Sequence, residues 1–114
     1  MGEHLGEFEQ ILLFAILRLD DSAYGVTIRR EIEERTGRRT SPGAIYTTLE
    51  RLEQRGLVAS SVGGATPQRG GRRKRFYRLE PAGAKALALA WERMQSLAAG
   101  VLPRLENLAG ESST

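Results

Sequence analysis

Ser41, Tyr46, Thr47 and Arg51 fall close together in the stretch SPGAIYTTLERLEQRG, residues 41–56, and bring hydroxyls, a phenol and a guanidinium. Groups of this kind hydrogen-bond to phosphate oxygens and to base edges; by themselves they break no bonds. His4 is the sole histidine and no cysteine is present, so neither a His-based triad nor a zinc site can be assembled. Glu31, Glu33 and Glu34 read as a solvated helix face. A second cluster holds Arg69, Arg72, Arg73, Lys74, Arg75 and Arg78 with no acid between them. Removing those six from 17 basic residues leaves 11 against 14 acidic ones, so the net charge of +3 originates in one segment. Such a local excess suits a polyanion, with nucleic acid first and an anionic membrane surface second, and a merely solvated face as the plain alternative.

The element that must position the first cluster is a helix over residues 41–55 with both ends marked. Ser41 is a cap residue, and Pro42 suits the first helical position, where its missing N–H has no partner anyway. Gly56 can take the left-handed conformation that closes a helix, with Leu57 folding back on the last turn. Ile45, Leu49 and Leu52 form an apolar stripe at steps of 4 and 3. Gly43, Tyr46, Thr47, Glu50, Arg51 and Gln54 occupy the other side, which lacks the Glu/Lys-rich character of a helix that meets only water. That face fits the major groove of DNA, although the stripe taken alone better suits an ordinary amphipathic helix in a small bundle.

Elsewhere the chain supplies a scaffold. Residues 6–19 read as a helix apolar on two sides, fit to face its own core and a second subunit. Asp20-Asp21-Ser22 offers cap side chains to a helix over residues 23–36, in which Tyr24, Ile28 and Ile32 face inward. Gly25 inside that helix implies close backbone approach to a neighbour. Gly37 ends it, and the short link to Ser41 makes a helix-turn-helix unit. Residues 57–61 and 75–79 alternate like short strands. The glycine-rich basic segment between them, within residues 62–75, makes the pair a wing. Its Gly70-Gly71 lacks the ending of a phosphate loop.

Pro81 opens a last helix running to about residue 108, where Leu87, Trp91, Met94, Ala98, Val101, Leu105 and Leu108 repeat at steps of 4, 3, 4, 3, 4, 3. About 28 residues of helix would span roughly 42 Å, more than so small a domain needs, so the seam is expected to face another chain. Gly100 and Pro103 predict a kink or break, and the tail from residue 110 on is expected to be disordered.

At 114 residues, 40% hydrophobic and 27% charged, the chain is expected to form one globular domain. The longest apolar run, residues 11–17, is far short of a membrane span, and the first residues lack the basic start of a secretory signal. The expected location is the cytoplasm.

Jointly, LGEFE at residues 5–9, YGVTI at 24–28, GAIYTTLERLE at 43–53 and RGGRRKRFYRL at 69–79 resemble the PadR family of bacterial transcriptional regulators, particularly members with a single C-terminal helix. Glu80 departs from the threonine often found there, which touches only a helix boundary. The resemblance covers residues 5–109 and implies a mainly α fold with a small two-stranded β-ribbon. That is a winged helix-turn-helix DNA-binding domain over 5–80 followed by a dimerisation helix over 81–109. It implies a homodimeric, ligand-responsive repressor on an inverted-repeat operator in double-stranded DNA, with no cofactor, metal or membrane partner and no enzymatic activity. The candidate DNA contacts are Tyr24, Ser41, Pro42, Gly43, Tyr46, Thr47 and Arg51, with Arg69, Arg72, Arg73, Lys74 and Arg75 of the wing meeting phosphates. For Tyr46 the plain alternative is a ring packed under the wing; for Arg51 it is a pairing with Glu50 or a nearby acid. Phe8, Ile11, Leu87, Trp91, Met94, Val101 and Leu105 are the candidate dimer and effector-pocket residues, the effector being a small aromatic or lipophilic molecule. The plainer reading of Trp91, and the favoured one, is a dimer-core residue. Two rivals stand beside this: an RNA- or membrane-binding adaptor using the basic segment, and a dimeric small-molecule-binding or protein-interaction module without operator binding.

Overall fold

The computed structural model describes residues 4–63 and 74–111. Helix α1 (Glu7–Leu19) is followed by a 3₁₀ turn (Asp20–Ser22), α2 (Gly25–Thr36) and α3 (Pro42–Gln54). Strands β1 (Val58–Val62) and β2 (Arg75–Leu79) then pair antiparallel, with Val58 opposite Leu79 and Ser60 opposite Tyr77. The chain continues in α4 (Pro81–Ala98) and α5 (Leu102–Glu111).

The capping chemistry of α3 follows the sequence. Ser41 Oγ accepts from the Ala44 N–H at 3.1 Å, and Pro42 occupies the first turn. At the other end Gly56 has φ +76°, the Gly56 N–H donates to Glu53 O and the Leu57 N–H donates to Leu52 O, each at 3.0 Å. That pair of bonds satisfies carbonyls which would otherwise be orphaned, and the chain leaves the helix in the direction of β1. The start of α2 is capped differently from the sequence expectation. No Asp20, Asp21 or Ser22 side chain caps it; the Thr27 hydroxyl accepts from the Tyr24 N–H at 3.0 Å and donates to the Ser22 carbonyl at 2.7 Å.

Ile45, Leu49 and Leu52 of α3 are fully buried against Leu12, Leu13 and Ile16 of α1 and Ile28 and Ile32 of α2. Leu57, Val58 and Tyr77 extend this core under the ribbon. Each such aliphatic side chain contributes about 1.5–3 kcal/mol of burial. The ribbon is tied to the helices: the Tyr77 N–H donates to Ala23 O at 2.9 Å, and Tyr24 makes an isolated β-bridge with Phe76. At the far end Glu9, only 9% exposed, accepts from the Gly6 N–H at 2.8 Å and from Arg55 at 3.2 Å, locking the first turn of α1 to the end of α3.

The C-terminal segment is two helices, not one. Ala99 is extended and Gly100 sits at φ +82°, a left-handed conformation that a residue with Cβ adopts at a cost, so α4 stops there. Pro103 falls in the first turn of α5, where its ring is tolerated. The heptad seam is therefore interrupted after Ala98. Leu87, its first position, is 4% exposed and belongs to the domain's own core, so its assignment to the dimer seam is corrected. Gly110 and Glu111, expected in a disordered tail, continue α5.

Candidate nucleic-acid interface

Along α3 the buried residues are Ile45, Thr48, Leu49 and Leu52, which leaves Gly43, Thr47, Glu50 and Gln54 as the ridge turned away from the core, all exposed. Tyr46 and Arg51 flank this ridge on opposite sides. Tyr46 is 50% exposed and rests on Gly25 at the start of α2. Arg51 leans toward α1, its guanidinium 3.7 Å from Glu9, with 54% of its side chain exposed. The nearby acid that pairs with Arg51 is thus Glu9, and the guanidinium keeps outward donors. Ser41, Pro42 and Gly43 are exposed at the N-terminus of the helix, where the helix dipole favours an anion.

Tyr24 is oriented by the wing. Its ring meets Phe76 edge-on at 5.3 Å, Lys74 Nζ lies 4.6 Å above the ring centroid, and the ammonium donates to the phenol oxygen at 3.3 Å. The ring expected to pack under the wing is therefore Tyr24 and not Tyr46. Arg75 donates to Ser60 Oγ at 3.0 Å across the ribbon. Ser60 is itself held to the end of α3, since its N–H and hydroxyl both donate to Glu53. The base of the wing is in this way fixed to both helices of the helix-turn-helix unit. Arg69, Arg72 and Arg73 lie outside the described residues.

Glu50 and Gln54, placed on this face from the sequence, share the exposed ridge with Thr47. One further polar residue borders the same surface without having been singled out from the sequence. Arg30 lines a cavity of about 160 Å³ with Gly25, Val26, Pro42 and Tyr46. Arg30 and Arg39 form no ion pair among the described residues, whereas Arg29 pairs with Glu33 at 3.4 Å. In the run RREIEER no local signal separated Arg30 from its paired neighbours.

The second candidate cluster divides. Trp91 is 51% exposed and meets Phe14 edge-on at 5.9 Å. With Met94, Gln95, Ala98, Ala99, Gly100 and Leu102 it borders an open, mostly apolar groove of about 380 Å³. Val101 and Leu105 are exposed beyond the helix break. Phe8 lies elsewhere, beneath the Arg38 guanidinium at 5.0 Å, and Ile11 packs against the domain core. The α1 aromatic beside Trp91 is thus Phe14, a correction of the grouping expected from sequence.

Among the described residues no helix is long and apolar enough to cross a membrane.

Comparison with known proteins places this architecture. The family described as "Transcriptional regulator PadR-like family" matches residues 13–89. Transcriptional regulator Rv3488 of Mycobacterium tuberculosis is 38% identical over 96 residues, covering 82% of this chain and 83% of that protein. A PadR family transcription regulator from Clostridium difficile superposes with a TM-score of 0.66 at 28% identity, over 84% of this chain and 96% of the other. A PadR-like regulator from Bacillus cereus shares the fold at 17% identity, with a TM-score of 0.67 over 86% and 89% of the two chains. The helix-turn-helix, ribbon and C-terminal helix described above are the winged-helix fold of those structures. The chain belongs to the PadR-like family of transcriptional regulators.

Proposed function

We propose that the protein is a cytoplasmic homodimeric repressor that reads an inverted-repeat operator in duplex DNA and releases it when a small aromatic or lipophilic effector enters between its C-terminal helices. The observation that carries the DNA reading is the exposed polar ridge of α3. Its Gly43, Thr47, Glu50 and Gln54 are exposed, and it is flanked by Tyr46 and bordered by the anchored base of a basic wing. Thr47 and Tyr46 supply hydroxyls for base edges or phosphates, and the start of α3 presents the positive end of the helix dipole. Gly43 lets a sugar-phosphate strand approach the first turn. Arg51 donates to a phosphate or guanine from the α1 side. The wing arginines, with Lys74, neutralise phosphates in a sequence-independent way.

Dimerisation is supported by the apolar surface of the C-terminal helices. Trp91, Met94, Leu97, Leu102, Leu105 and Leu108 are each at least half exposed in the single chain, and large apolar side chains gathered on exposed helices mark an interaction surface. A two-fold pairing there would set two copies of α3 into successive major grooves about 34–36 Å apart. The groove beside Trp91 supports the effector reading, since a flat apolar molecule can stack on an indole already half exposed.

The test uses duplex fragments that the purified protein retains from genomic DNA. Tyr46→Ala and Arg51→Ala should each weaken binding to those fragments by about tenfold or more while the dimer persists in sedimentation. Parent-like binding by both would remove the DNA contacts from α3. Trp91 fluorescence quenched by flat aromatics, with no fragment retained, would favour a small-molecule-binding module instead.

A further inference from the structure

Gly25 is buried at the start of α2, in a backbone conformation open to any residue: it is not among the positions with positive φ. Alanine is the better helix former, so local backbone preference does not explain a glycine there. What occupies the missing side chain's space is Tyr46. A Cβ on residue 25 would lie 2.5 Å from Cζ and 2.9 Å from Cε1 of the Tyr46 ring, and closer still to its hydroxyl. Yet Tyr46 is no core residue, because half its surface faces solvent. A seat shaped for a ring that is not buried serves the ring's direction more than the domain's stability.

We propose that Gly25 is a positioning residue: by lacking a side chain it seats Tyr46 against the start of α2 and holds the phenol in the orientation used on DNA. This rests on Tyr46 being a DNA contact. The adjoining Tyr24 carries the wing through Phe76 and Lys74, so one dipeptide fixes both the wing and the exposed tyrosine of α3. Binding then orders no free tyrosine rotamer at the interface. With a Cβ at position 25 the ring cannot keep this seat and must shift.

The experiment compares the parent, Gly25→Ala, Tyr46→Ala and the double variant by fluorescence anisotropy on a retained genomic duplex, with thermal melting of each. Gly25→Ala should weaken binding by up to about tenfold, the loss expected when a preorganised side chain must be ordered on binding. The same change in the Tyr46→Ala background should cost nothing further. In the free protein, tyrosine-labelled NMR spectra should show the Tyr46 ring resonances moved by Gly25→Ala. Equal losses in both backgrounds, or unmoved ring resonances, overturn the proposal. Parent-like Gly25→Ala beside a weakened Tyr46→Ala overturns the positioning role alone, whereas parent-like Tyr46→Ala removes the underlying DNA contact. Should Gly25→Ala fold poorly, the double variant, with the ring gone, must melt with the Tyr46→Ala single variant; a further loss in the double variant also overturns it.

Discussion

Tyr77 keeps its ring inside the domain at 7% exposure, whereas Tyr46 leaves half its surface to solvent. Burial raises the Tyr77 phenol above its ordinary value of 10.0, with Arg75 opposing part of that effect and Glu53 adding to it. The folded state therefore holds this proton more tightly than the unfolded chain does. The stabilisation is fully present below about pH 10 and is lost as pH rises from there through the folded value. Urea denaturation between neutrality and high pH should show stability falling above about pH 10, and Tyr77→Phe should flatten that fall. Glu31 is the opposite case: the hydrogen bond from Arg35, joined by Arg18, holds its carboxyl below the ordinary 4.5 despite partial burial. Its contribution is present above the ordinary value and fades as pH drops through the lowered one.

At the level of elements, α3 is held at both ends by chemistry that differs in kind. The Ser41 cap is a side-chain bond to one amide, while the Gly56 exit depends on a left-handed backbone at φ +76°. Gly56→Ala should cost about 1–2 kcal/mol, the penalty for placing a Cβ in that conformation. A lower denaturant midpoint with an unchanged m value would register it. Because the same exit aims the chain into β1, the wing inherits its direction from this residue. The Glu9–Arg55 contact opposes loosening at that end by holding it to α1, and Arg51 shares the same carboxylate. Arg51, proposed above as a DNA contact, is thus partly oriented by α1.

Across the whole molecule, two surfaces differ in their chemistry. The polar ridge of α3 and the base of the wing lie on one set of elements, and most of the exposed large apolar residues are carried by α4, α5, the turn between them and the Phe14–Leu17 side of α1. Leu97, at 79% exposure, contributes little to the single chain, so Leu97→Glu should fold normally. In a dimer paired along α4 the same carboxylate meets apolar surface, and the dimer should weaken by at least about tenfold by sedimentation equilibrium. Operator affinity would fall with it, since each half-site then binds alone. An unchanged dimer constant would place the pairing surface elsewhere.

Much of this arrangement was legible before folding, where the signal is local. Caps, the left-handed exit and the Ile45–Leu49–Leu52 stripe depend on neighbours within a turn or two, so residue type and spacing were enough for α3 and for the break near Gly100. The family resemblance then supplied the winged-helix arrangement that those local signals fit. Contacts between distant residues were not legible. Heptad spacing could not tell that Leu87 turns into its own domain, because an apolar residue carries no mark of which apolar partner it meets. Nor could it show that Phe14 and not Phe8 meets Trp91, that Arg51 leans on Glu9, or that Tyr46 occupies the room Gly25 leaves. Those outcomes were decided by packing, which brings together groups far apart along the chain and admits only pairings whose volumes and charges fit simultaneously.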